Sequence, residues 1–525
     1  MLFRNKVILI ASIVLVVGGI SWLLFNLFSH SSDAHLKFIP KNVVAVLKID
    51  IKELASKADP LKLMQHPAFK DIPASGTSSI RKLIADPFST GIDPLENVYG
   101  FLAKEDEATV SAIVFKVSDE EDLEKFERGL GIGLNLEVES GIYYSEIDEN
   151  RCIAWNDDAG IIMAVHGGDK KILAKKYLEQ NKNQSILAND DYESFAEKTF
   201  DLGLYLDNKA LSQMSGATSS LSSLGFIDGH GELLLSFEND KISTVYTNYP
   251  ATKPTVSILR KSGPEAKQFN AIAPEVPLLY LGLSTDVNAL FNTALTDASM
   301  KNNMTALQLY LGMSDAQLRK LFTGDISLSF TDYKDISGYD PRVGANVDMI
   351  MKDMNGTPED RAEFALNTPM IYISVGITDD KKINSLLTEL GMQKFGNFYA
   401  MPGINYIVYA AAKDGHLLIT NDYYAAETLA KDGKFSAQLP AAISTTNPFS
   451  VWANLDQKHF PIALTESMKD MYNEQAVDFF LQAIKPFQSV KMESKGDGSQ
   501  LDISIAPGEG NSLYRLLTYY GSLAN

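Results

Sequence analysis

Apolar and polar residues alternate with a period near two over much of this chain, and shorter runs of helical period interrupt them. The organising stretch is Ile39-Pro40-Lys41-Asn42-Val43-Val44-Ala45-Val46-Leu47-Lys48-Ile49-Asp50. It predicts a proline-started strand whose exit, Asp50, caps a helix beginning at Ile51. A degenerate copy returns at Ala273-Pro274-Glu275-Val276-Pro277-Leu278-Leu279-Tyr280-Leu281-Gly282-Leu283. Both copies keep a proline, an apolar strand and a polar exit. That is a folding signature, and it assigns no chemistry to Lys48 or Asp50.

A second pair aligns without gaps. Ala112-Ile113-Val114-Phe115-Lys116-Val117-Ser118 matches Tyr372-Ile373-Ser374-Val375-Gly376-Ile377-Thr378. Beyond it, Leu123, Phe126, Leu130 and Gly131 stand opposite Ile383, Leu386, Leu390 and Gly391. Each copy reads as a strand running into a Ser- or Thr-capped helix with acidic residues in its first turn, and Ser118 with Glu121 forms a capping box. Gly141-Ile142-Tyr143-Tyr144 and Gly403-Ile404-Asn405-Tyr406 recur in the same order. So do the turns Asp158-Ala159-Gly160 and Lys413-Asp414-Gly415, and the stretches starting at Leu206 and Leu455. A search for long internal repeats therefore gives two divergent copies, 35–265 and 266–525. Tight hairpins among β–α units argue for an α+β fold, each repeat a largely antiparallel sheet with helices on one face.

The insertion 331–367 breaks the symmetry. Its first part is polar and aromatic, and Tyr333, Asp335, Tyr339, Asp340 and Arg342 make it the candidate partner-binding segment, since long loops are often functional. Ser212 to Ser223 reads as a Ser-rich loop. The C-terminal stretch Asn511 to Tyr520 is amphipathic, with Leu513, Leu516, Leu517 and Tyr520 on one face, and is expected to dock on its own half.

At the other end, Val7 to Phe28 is an uncharged apolar run of 22 residues. As a helix it is ~33 Å long, enough to cross a bilayer core. Arg4 and Lys6 precede it, which favours a cytoplasmic N-terminus and a body outside the cytoplasm. The competing reading is a cleaved signal peptide, but the run is long and ends in the bulky Trp22-Leu23-Leu24-Phe25. No cysteine follows it, so a lipoprotein anchor is excluded. Residues 1–30 are thus expected to anchor the chain in a lipid bilayer through the span 7–28.

Charge narrows the partners. The net charge of -19 repels phosphate backbones, so no nucleic acid is expected, while an envelope protein partner is. The single cysteine, Cys152, permits no intrachain disulfide and no thiolate zinc site. The seven histidines share no metal-ligating spacing. No Walker loop or G-x-S-x-G elbow occurs. No catalytic residue, cofactor or metal site is therefore assigned. Asp332, Asp335 and Asp340 lack the spacing of an EF-hand loop.

The opening motif, Phe38-Ile39-Pro40-Lys41 through Asp50, resembles the start of a domain-of-unknown-function family of Bacteroidota envelope proteins, and Leu321-Phe322-Thr323-Gly324-Asp325-Ile326-Ser327 is similar to another of its recurring pieces. The resemblance implies an internally duplicated envelope protein and no catalytic residues. The expectation is a membrane-anchored, extracytoplasmic, non-enzymatic binding or scaffolding protein. The alternatives are a hydrolase with a site assembled between the repeats, or an envelope assembly factor or chaperone.

Overall fold

The structure, a computed structural model, describes residues 34–59, 62–63, 66, 87–94, 96–129, 136–215, 229–251, 258–264, 272–294, 301–302, 305, 308, 312–334, 368–402, 407–435, 440, 443, 447–495 and 497–524. The expected span 7–28 and most of the insertion lie outside these residues. Among the described residues no helix is long and apolar enough to cross a membrane. The chain divides into two compact units, one of residues 1–254 and 505–525, the other of residues 255–504.

The first unit opens with β1 (Val43–Ile49) and α1 (Ile51–Ala58). Asp50 caps α1, its carboxylate accepting from the Glu53 N–H at 3.0 Å, as the sequence predicts. Next come β2 (Val98–Glu105), β3 (Ala108–Lys116), α2 (Glu120–Gly129), β4 (Glu137–Glu139), β5 (Ile142–Glu146), β6 (Arg151–Trp155) and β7 (Ala159–His166). Then follow α3 (Lys170–Glu179), α4 (Asp190–Ala196), β8 (Leu202–Asp207), α5 (Asn208–Ser215), β9 (His230–Phe237) and β10 (Lys241–Tyr249). The strands pair antiparallel in the order β10-β9-β8-β1-β2-β3-β7-β6-β5-β4. The opening motif is thus an interior strand, with β2 on one side and β8 on the other.

In the second unit, β11 (Leu279–Ser284), α6 (Val287–Ala294), α7 (Asp315–Arg319), β12 (Phe322–Lys334), β13 (Thr368–Ile377) and α8 (Asp380–Glu389) come first. They are followed by β14 (Gln393–Phe395), β15 (Phe398–Pro402), β16 (Ile407–Lys413), β17 (His416–Thr420), α9 (Tyr423–Asp432) and β18 (Phe449–Asn454). A helical hairpin, α10 (Ile462–Met471) and α11 (Glu474–Ile484), precedes β19 (Phe487–Lys495) and β20 (Gly498–Ile505). The order is β20-β19-β18-β11-β12-β13-β17-β16-β15-β14, strand for strand that of the first unit.

Side chains alternate across each sheet, and both faces are apolar. In the first unit one face carries Val46, Tyr99, Phe101, Val110, Val114, Ile161 and Met163 beneath α3 and α4. The other face carries Phe115, Ile153 and Trp155 beneath Leu123 and Phe126 of α2. The second unit repeats the division. Met370, Tyr372 and Tyr409 pack under α9, while Ile377, Ala410 and Leu417 pack under α7 and α8 on the opposite face. Helices on one face only, the sequence expectation, is therefore corrected. A strand such as β3, apolar at Ala112 and Val114 and again at Ile113 and Phe115, needs cover on both sides.

The helix starts also shift. The cap of α2 is Asp119, which accepts from the Asp122 N–H at 2.9 Å, and the cap of α8 is Asp379, which accepts from the Lys382 N–H at 3.0 Å. Ser118 and Thr378, one residue earlier, are not the caps, because a carboxylate outcompetes a hydroxyl at the positive helix end. Gly160 is not a turn residue either. It lies in β7, where a side chain would run into the Phe115 ring at 2.3 Å. Asp414 and Gly415 do form the expected turn, with φ of 51° and 84°.

The last helix, α12 (Ser512–Ala524), packs on the first unit, not on the second half where the sequence placed it. Leu513 and Leu517 meet Leu54, Ala58 and Leu63, over Ile49, Leu202 and Phe237. Lys57 beside them donates to the fully buried Asp201 at 2.7 Å. Replacing Leu513 by Ala should destabilise this unit by about 2–5 kcal/mol. Hydrogen exchange would show faster exchange in α1 and in β8, with β11 to β18 unchanged.

Candidate functional site

The second face of the first sheet is only partly covered. Rows of side chains can be followed across it from the strand register. One row, Leu202, Ile49, Val98, Phe115 and, past Gly160, Trp155, lies beneath α1, α12 and α2. Two residues along each strand comes Leu204, Leu47, Gly100, Ile113 and Ile162. The third row is Ala45, Leu102, Ser111, Ala164 and Arg151. These two rows form the floor and walls of an open trough of about 370 Å³. Its large side chains face solvent: Leu47 is 37% exposed, Ile113 46% and Ile162 37%.

Gly100 makes the depression. Its neighbours on the same row are Leu47 and Ile113, and it contributes no side chain between them. In the second unit the corresponding row is Val451, Leu281, Leu328, Ile373 and Ile419, so a leucine stands where the first unit has Gly100. A Cβ at Gly100 would meet Leu47 at 3.6 Å, an ordinary contact. The glycine is therefore not required by the backbone.

The trough is bounded by cations on two sides. Arg151 closes one end, where Asp148 accepts from its Nε at 2.6 Å. One row beyond the trough stand Lys104, Thr109 and His166, paired across β2, β3 and β7. In α2, which covers the neighbouring row, Glu127 is 2% exposed and one of its carboxylate oxygens has no hydrogen-bond partner among the described residues. Burial pushes this carboxyl up to about 7 against an opposing contribution from the Ser145 hydroxyl.

A second apolar surface lies on the α10–α11 hairpin. Val477 of α11 is buried, whereas Phe479 is 68% exposed, Phe480 45%, Met471 at the end of α10 70%, and Tyr472 after it 64%. Ala476, Phe479, Phe480 and Ala483 share helical spacing, so α11 is apolar on its outward side as well.

The residues singled out in the sequence fall elsewhere. Tyr333 is in β12, half-buried, its ring edge-on to Phe330 at 5.4 Å. Thr331 to Lys334 belong to that strand, not to a loop. Asp335, Tyr339, Asp340 and Arg342 lie outside the described residues, so the candidate partner-binding segment is not assembled here. Lys48 is buried and donates to the Ala196 carbonyl at 3.1 Å. Cys152 is buried among apolar residues, and burial pushes its thiol up to about 12, away from nucleophilic reactivity. Among the described residues no three His, Cys, Asp or Glu side chains gather as metal ligands. The trough was missed because Gly100 has meaning only in register with Leu47 and Ile113. The available signal was apolar residues on both parities of β3 with a glycine in its neighbouring strand.

Such geometry defines an α+β protein with an open apolar surface trough and no convergent catalytic groups among the described residues. The chain belongs to the family described as a domain of unknown function (DUF4836), whose model matches residues 36–337. No curated protein matches it. Solved structures of TP0453 are similar at a low level. Crystal form IV gives 12% identity over 40% of this chain and 79% of that one, with a TM-score of 0.26. Crystal form III gives 12% over 43% and 84%, also with a TM-score of 0.26.

Two outcomes follow for the groups around these surfaces. A buried carboxyl that prefers its proton stabilises the fold at low pH, and that contribution is lost as pH rises from the usual glutamate range to about 7. Glu127→Gln should raise the melting temperature by a few degrees at pH 8 and flatten its dependence between about pH 5 and 7. Differential scanning fluorimetry across pH reads this directly. Phe479→Ser with Phe480→Ser should change stability by no more than about 0.5 kcal/mol per site, since both rings are solvent-facing. Val477→Ala should cost about 0.8 kcal/mol for each methyl removed, measured by urea unfolding.

Proposed function

We propose that this chain is an envelope-associated, non-enzymatic binding protein. Residues 7–28 hold it to a bilayer, and its body, a divergent tandem duplication, lies outside the cytoplasm. The observation that carries the binding role is the trough itself. It is open where Gly100 stands, and the corresponding row of the second unit has Leu328. A duplication whose copies differ at one central position fits specialisation of one copy for a ligand and of the other for support. The shared ten-strand order supports the duplication, as do the matched stretches around Ala112 and Tyr372. The envelope placement rests on the uncharged run, on the basic residues before it, and on the resemblance of the opening motif to Bacteroidota envelope proteins.

Two measurements test this. The full chain should stay with membranes through an alkaline wash and be cut by external protease in spheroplasts. Leu15→Arg with Val17→Arg should release it. A photo-crosslinking amino acid at Ile113 in intact cells should acquire a small apolar adduct, detected as a mass shift of its peptide, and Gly100→Leu should remove it. A body protected from external protease would overturn the placement, and an Ile113 peptide without an adduct would overturn the binding role.

A further inference from the structure

We propose that the trough holds one acyl chain of a membrane phospholipid, with the phosphate of its headgroup at Arg151. This deepens the binding role proposed above and rests on it. The trough runs across the strands from Leu204 in β8 to Arg151 in β6. That is five inter-strand spacings, or about 24 Å. It is a long, narrow shape with Leu204, Leu47, Ile113 and Ile162 along its length and Gly100 in the middle of its floor. A linear hydrocarbon matches it better than a compact ring system does.

The polar groups are placed at one end. Arg151 has a side chain 58% exposed, and Asp148 engages its Nε and one terminal nitrogen. Its Nη1 remains as a donor directed by that fixed pair, suited to a phosphate oxygen. In a chain of net charge -19, Arg151 puts a guanidinium held by Asp148 at this end of the trough, where it complements an anionic headgroup. Supply is also provided for. Only residues 29–33 separate the apolar run from Ala34, a tether of no more than about 20 Å. The first unit, which contains both Ala34 and the trough, is thereby kept beside the lipid.

The test uses the full chain reconstituted in phosphatidylcholine vesicles doped with phosphatidylglycerol that carries a diazirine near its acyl terminus. Photolysis followed by peptide mass spectrometry should place label on the peptides of Leu47, Ile113 or Ile162. Gly100→Leu, which puts into this sheet the residue the second unit already has, should reduce that label about tenfold, and Ile113→Glu should do the same. The exposure of Ile113 keeps the second variant folded even if the first is not. Arg151→Glu should reduce labelling severalfold with an unchanged melting temperature. Label confined to residues 7–28, or trough label that survives both Gly100→Leu and Ile113→Glu, overturns the proposal. A trough crosslinked in cells to a small molecule other than a phospholipid also overturns it, but leaves the binding role standing. An Ile113 peptide free of any adduct in cells removes both.

Discussion

Each unit has to cover two apolar faces of one ten-stranded antiparallel sheet. That requirement governs the rest of the structure. On the first face of the first unit the solution is complete: α3 and α4 lay Tyr177, Tyr192 and Phe195 onto the strands, and Tyr177 meets Phe101 edge-on at 5.5 Å. On the second face, among the described residues, α1, α12 and α2 sit over one row of side chains. Apolar area left exposed is unfavourable by about 25 cal/mol per Å², so the open rows beside them are a cost to the stability of this unit. The other sheet has Leu328 where this one has a glycine.

Charge is handled with similar economy. Two of the buried carboxylates have a cation set against them. Asp201 takes Lys57, and Asp325 takes Arg260 together with the Ser284 hydroxyl. Breaking such a pair leaves a buried charge alone, which is why these residues belong to architecture and not to chemistry. Glu127 differs, because no cation is directed at its buried oxygens. Its preference for a proton near neutrality ties the packing of α2 to pH.

Much of this was legible in the residues. Period-two alternation located β1 and β3, and Asp50 announced its own cap. Asp414 and Gly415 announced a turn, and the stretch around Ala112 aligns with that around Tyr372 in sequence alone. Local signals failed where two of them competed within a residue or two. Ser118 and Asp119 both can cap, and the carboxylate wins. Gly160 is adjacent to a real turn, but its reason is the ring of Phe115. Non-local facts were illegible in principle. That Leu513 belongs with Leu54, or that Gly100 lies between Leu47 and Ile113, depends on which strands and helices meet, and the residues concerned are from about a dozen to several hundred apart in sequence. The candidate insertion was chosen because it breaks the repeat, whereas the surface the structure offers arises from a single glycine inside it.

The position of α12 has a consequence for how the molecule is made. Residues 505–525 complete a unit that begins near the other end of the chain, so the second unit is in effect inserted into the first. Domains usually fold in the order in which they are synthesised. Here the part that emerges first lacks α12 until residues 512–524 have been made, while the part that emerges second can close earlier. β1 and α1 wait with Ile49 and Leu54 bare. The interval between their appearance and the arrival of Leu513 is the window in which a holding factor would have most to protect.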